Sequence, residues 1–94
     1  MYKNKYNMAW TKLFEFISNN QKDEAFALYR LISSHMKDQA LATKIKGDIY
    51  LFFEDQNTAL DYYLKSKEIY NLQENYNQVD AIKICIEDLK LKKL

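Results

Sequence analysis

Thr43-Lys44-Ile45-Lys46-Gly47-Asp48-Ile49-Tyr50, followed by Ala59-Leu60-Asp61-Tyr62-Tyr63, is the stretch that decides how this chain folds. Gly47 and Tyr50 stand three residues apart and Ala59 and Tyr63 four apart. Those two spacings put side chains on one face of an α-helix. The same four positions recur earlier in the chain, at one constant offset, as Leu13, Phe16, Ala25 and Tyr29. A fixed period of about 34 residues marks a repeat built from one helix–turn–helix unit. Each such unit has an apolar side it cannot bury alone, so neighbouring units must stack.

Working outward, the apolar spacing predicts five helices, over about Lys5–Ser18, Asp23–His35, Gln39–Phe53, Thr58–Asn71 and Tyr76–Lys92. Met8, Leu13, Phe16 and Ile17 give the first an apolar side, with Trp10 and Phe14 beside it. Ala25, Leu28, Tyr29 and Ile32 do so for the second. Val79, Ile82, Cys85, Ile86 and Leu89 form the stripe of the fifth. The breaks Asn19–Lys22, Glu54–Asn57 and Leu72–Asn75 are polar, and Asn57 is the expected N-cap of the fourth helix. A glycine inside a helix costs about 1 kcal/mol relative to alanine, so Gly47 needs a reason. Close approach of a neighbouring helix is the simplest one. Short breaks between helices imply antiparallel neighbours.

The stretch Ala40–Gln73 resembles a tetratricopeptide repeat (TPR). Gly47, Tyr50, Ala59 and Tyr63 match that family's pattern, while Thr43, Lys46 and Asn71 depart from it. Tyr6–Gln39 is a weaker copy, with Lys12 standing where Lys46 stands in the second. The third stretch carries only a first helix, with Ala81 and Ile84 at the places of Gly47 and Tyr50. The resemblance implies an all-α chain, an α-α superhelix of five antiparallel helices. It would be a single TPR-like domain over 1–94, with repeat 1 at 6–39, repeat 2 at 40–73 and a capping helix at 74–94. Another right-handed or irregular α-helical bundle is the competing arrangement.

The totals set limits on function. The chain has 94 residues, a net charge of +1 and a hydrophobic share of 48%, the ordinary range for a globular protein. A domain of that length buries roughly 60–65% of its unfolded surface, a thin margin. Arg30 is its one arginine. Nucleic-acid binding normally shows a clustered basic patch rich in arginine, so no nucleic-acid partner is expected. The lysines Lys90, Lys92 and Lys93 complement the negative end of the last helix dipole. Cys85 is alone, which rules out an internal disulfide and suits a reducing compartment. There is no long apolar run, so no membrane partner is expected. The N-terminal residues do not read as a signal peptide, and a cytoplasmic location is expected.

In proteins of the resembled family, the first helix of each pair lines a concave groove that holds a partner segment. Carried over, this places Trp10, Phe14 and Ile17 on the groove. Leu41, Lys44, Asp48, Leu51 and Phe52 join them from the third helix, and Gln78, Ile82 and Cys85 from the fifth. The strip Trp10, Phe14 and Leu51 would suit an amphipathic helix or an aromatic anchor. Trp10 and Phe14 read equally well as plain core. Lys44 is the one groove cation, with Asp48 a turn later, which disfavours a clamp for a C-terminal carboxylate. Ile84 and Leu91 lie roughly opposite the main stripe of the last helix, a candidate contact for a homodimer.

Catalysis has little to stand on. His35 and Cys85 are one residue each of the types that build a zinc site or a Cys–His nucleophile pair, and neither site forms from so few. One glycine cannot make a phosphate-cradling loop. No cofactor or metal is expected. The expected function is a non-enzymatic module that binds a protein or peptide partner. The alternatives are a self-assembling homodimeric scaffold and, remotely, an enzyme.

Overall fold

The computed structural model describes residues 5–92. Lys93 of the closing lysine cluster, Leu94 and residues 1–4 lie outside the described residues. Five helices run in order: α1 (Lys5–Ser18), α2 (Lys22–Ser34), α3 (Gln39–Phe52), α4 (Gln56–Leu72) and α5 (Tyr76–Lys92). No strand occurs among the described residues, so the chain is all-α as its periodicity predicts. No described helix is long and apolar enough to cross a membrane. The chain divides into two compact units, Met1–Lys37 and Asp38–Leu94.

The first unit is the α1–α2 pair. Leu13 and Ile17, one turn apart, are buried on α1, and Ala25, Tyr29 and Ile32 are buried on α2. Asp23 and Glu24 occupy the first turn of α2, where they complement the positive end of its dipole.

The second unit packs α4 against both α3 and α5. Its core joins Ala40 of α3, Ala59, Tyr63 and Tyr70 of α4, and Val79, Ile82, Ile86 and Leu89 of α5. A fully buried aliphatic side chain contributes about 1.5–3 kcal/mol over an exposed one, so this four-residue stripe anchors α5. Gly47 is buried where α3 meets α4. A Cβ there would lie 2.8 Å from Cε1 of Tyr63 and 3.2 Å from the Ala59 carbonyl oxygen, which is the close approach expected of it. Ser66, fully buried, donates to the Ala40 carbonyl at 2.7 Å and ties the middle of α4 to the start of α3.

The turns reproduce the period. Helices α1 and α3 begin at Lys5 and Gln39, and α2 and α4 at Lys22 and Gln56, the same offset that relates Leu13 to Gly47. Asn20 (φ 58°) and Glu54 (φ 63°), related by that offset too, are left-handed residues. Each closes a Schellman motif. Gln21 N–H donates to Phe16 O and Asn20 N–H to Ile17 O; Asp55 N–H donates to Tyr50 O and Glu54 N–H to Leu51 O. A third such motif closes α4, with Glu74 (φ 58°) left-handed and Asn75 N–H donating to Tyr70 O.

Three expectations need correction. The N-cap of α4 is Asp55, whose carboxylate accepts from Thr58 N–H at 3.2 Å, and Asn57 lies inside the helix. Asp55 stands just before Gln56, the first helical residue, so its carboxylate reaches the open N–H groups of the first turn. Helix α4 also starts earlier than Thr58, at Gln56, and runs past Asn71 to Leu72, whereas α5 spans Tyr76–Lys92 as its spacing predicts. Finally, Ala81 and Ile84 do not sit as Gly47 and Tyr50 do. Both are exposed, because α5 turns Val79, Ile82, Ile86 and Leu89 inward instead.

Candidate functional site

The residues predicted to line a groove divide between the two units. In the first, Phe14 is 57% exposed, Trp10 is half-buried and Ile17 is buried. Ile17 shares the inward stripe of α1 with Leu13, so its side chain offers a ligand almost no surface. Thr11, Lys12 and Glu15 lie on the exposed side of the same helix. Lys12 extends over the Phe16 ring, 5.1 Å from its centroid, and reaches Glu15 at 3.3 Å.

In the second unit, α3 and α5 both lean on α4, and a cleft of about 200 Å³ opens between them. Leu41 and Lys44 of α3, Tyr70 of α4, and Gln78, Ala81, Ile82 and Cys85 of α5 line it. Leu41, Lys44, Gln78, Ile82 and Cys85, assigned to a groove from sequence, therefore meet around one concavity. Tyr70 and Ala81 were missed. Tyr70 is a buried residue of α4, and Ala81, expected at the place of Gly47, is exposed on α5 and so reaches the cleft.

Beside the cleft runs a chain of three polar groups. Lys44 Nζ donates to Asp48 Oδ2 at 2.8 Å, one turn further along α3. The Tyr63 hydroxyl donates to Asp48 Oδ1 at 2.5 Å from α4. Burial, reinforced by donation to this carboxylate, pushes the Tyr63 hydroxyl far above the ordinary tyrosine range. Burial also raises Tyr70, with the Asp38 charge adding to it. Asp48 thus has both oxygens engaged, and the charge of Lys44 is met within its own helix.

The remaining predicted residues lie apart from the cleft. Leu51 is half-buried against the core of the second unit, so it serves packing before any ligand. Phe52 is 65% exposed near the C-terminal end of α3. Ile84 and Leu91 are 68% and 67% exposed on α5, two turns apart and so on one side of it. Asp80 and Glu87 fall on the same stripe, at the i, i+4, i+7, i+11 spacing shared with Ile84 and Leu91.

Two further features bear on chemistry. The imidazole Nδ1 of His35, at the exposed C-terminal end of α2, lies 3.0 Å from the Leu31 carbonyl oxygen and 3.1 Å from Ser34 Oγ. Among the described residues, no group of three or more His, Cys, Asp or Glu is placed to hold a metal ion. The back of the α3–α4 pair carries an aromatic stack, Tyr50 on Tyr62 at 5.5 Å between centroids. Lys46 and Lys65 lie 4.7 and 5.0 Å from the Tyr62 centroid. Lys46 and Lys12, the lysines that depart from the resembled pattern, therefore both cover aromatic rings.

No family model matches this chain, and neither curated proteins nor solved structures provide a match.

Proposed function

We propose that the chain is a short, non-enzymatic interaction module of tetratricopeptide-like construction. It holds a segment of a protein partner against the α3–α5 face. The observation that carries this reading is the convergence of Leu41, Lys44, Gln78, Ile82 and Cys85 on one open cleft. The recurrence of helix starts and left-handed turns at one constant offset supports the repeat construction. The cleft is smaller than the roughly 300–1,000 Å³ of a typical small-molecule site, which favours a polypeptide ligand. The test is affinity capture from the source organism with the wild-type chain and with a Leu41→Lys, Gln78→Lys variant. A specific partner lost with the variant is the expected result. Equal recovery by both overturns the reading.

A second reading, a homodimer through α5, is favoured by the exposure of Ile84 and Leu91 on one side of that helix. Against it stand Asp80 and Glu87 on the same stripe, which a symmetric parallel pairing would set against their own copies at an electrostatic cost. Light scattering over a concentration series separates the two readings. Reversal of self-association by Ile84→Lys would favour the dimer, and a strict monomer at high concentration would remove it.

A further inference from the structure

We infer that the α3–α5 cleft takes one uncharged apolar side chain, leucine, methionine or phenylalanine, projected by a partner polypeptide, and discriminates against a carboxylate. The inference rests on the module reading above and specifies the chemistry of its ligand.

Size comes first. A cavity of about 150 Å³ holds one benzene molecule. The cleft, at about 200 Å³, has room for one large side chain. Leu41, Ala81 and Ile82 supply apolar wall and the buried Tyr70 ring supplies floor.

Charge decides the kind of side chain. Lys44 would be the natural partner of an incoming carboxylate, but it is engaged with Asp48 at 2.8 Å. Asp48 is held in place from the other side by the Tyr63 hydroxyl, itself anchored in the core. Asp48 already offsets the Lys44 charge, so an acidic ligand would share the ammonium with a carboxylate and face the Asp48 charge at close range. A weakened cation and a like charge both oppose its binding. An apolar side chain disturbs neither group. Gln78, exposed at the rim, keeps a neutral amide able to bond the partner's backbone.

The experiment selects displayed random peptides against the full chain and ranks the binders by affinity. Each is then measured against Ala81→Trp, which fills the cleft from an exposed helix position, and Lys44→Met, which removes the cation. Binders are expected to share one leucine, methionine or phenylalanine. They should weaken by about tenfold or more with Ala81→Trp and by less than about threefold with Lys44→Met. A second measurement needs no variant: a bound peptide should slow alkylation of Cys85, whose side chain lines the cleft. Binders that share an acidic residue or a C-terminal carboxylate, and that fail with Lys44→Met, overturn this inference and leave the module reading standing. Binders indifferent to Ala81→Trp that leave Cys85 unprotected overturn it too, because they bind elsewhere. A selection that yields no binder overturns both.

Discussion

A Cβ on residue 47 would lie 2.8 Å from Cε1 of Tyr63, so α3 and α4 pack as closely as they do because Gly47 carries none. The aromatic ring takes the place that any other residue at 47 would contest.

Gly47→Ala sets two effects against each other. Alanine gains about 1 kcal/mol of helix propensity. It also forces either the Tyr63 ring or the Ala59 backbone to move, and overpacking of this kind costs about 1–3 kcal/mol. The ring is tethered at its hydroxyl by Asp48. The steric cost is therefore expected to win by about 1 kcal/mol. A lower urea midpoint followed by far-UV circular dichroism would show it. Adding Tyr63→Leu should recover part of the loss, since the two sites touch and their effects do not add.

The Tyr63–Asp48 bond makes a directional claim about pairs of variants. Asp48→Ala leaves a buried hydroxyl without its acceptor and should cost about 1.5–3 kcal/mol. Tyr63→Phe, Asp48→Ala should be less destabilised than the sum of its single variants, because the orphaned hydroxyl is gone. Additive costs in a double-mutant cycle would mean that the bond contributes little.

The same hydroxyl predicts an alkaline limit. Tyr63 is raised above the ordinary tyrosine value of 10.0, and Tyr70 is raised in the same direction. Below that pH both folded and unfolded chains keep these protons, and the full stability is present. Above it the unfolded chain releases them while the folded chain does not. Stability therefore falls as pH rises beyond about 10, by up to about 1.4 kcal/mol per pH unit for each such group. The urea midpoint of Tyr63→Phe should decline less steeply between about pH 10 and pH 11 than that of the wild type.

Capping differs between the two units at equivalent positions. Asp55 caps α4 through its carboxylate, whereas Gln21, its counterpart one period earlier, caps α2 with no side-chain bond to the backbone. Asp55→Ala should cost about 1 kcal/mol. Gln21→Ser should stabilise the first unit by about 0.5–1 kcal/mol. Fluorescence of Trp10, the one tryptophan, follows that unit directly.

Two left-handed turns are occupied by glutamate. The left-handed conformation costs an ordinary L-residue about 1–2 kcal/mol. Glycine removes that cost and adds about 0.5–1 kcal/mol of chain entropy. Glu54→Gly and Glu74→Gly should each raise stability by about 0.5–1 kcal/mol. Asn20→Gly should be close to neutral, because asparagine tolerates the conformation. Thermal unfolding of the three variants side by side checks the ranking.

Local structure was legible in the order of the residues. The helical periodicity of Ala25, Leu28, Tyr29 and Ile32 and its counterparts set the number and extent of the helices to within a turn. The polar breaks at Asn19–Lys22 and Glu54–Asn57 set the turns. Gly47 announced a close approach before any neighbour was known. These features are encoded within a few residues of one another, where backbone geometry leaves few choices. Tertiary structure alone decided which residues meet. Ile17 and Leu51 turned inward while Phe14 and Phe52 stayed out, although all four are apolar on amphipathic helices. Asp48 found Tyr63 on the next helix, and Ser66 found Ala40 from further still along the chain. The packing of α5 on α4 put Ala81 on the rim of a cleft instead of in a core. Such choices depend on how far each helix is rotated against its neighbour. That rotation is set by fine steric fits, as at Gly47 and Tyr63, which no spacing within a single helix records.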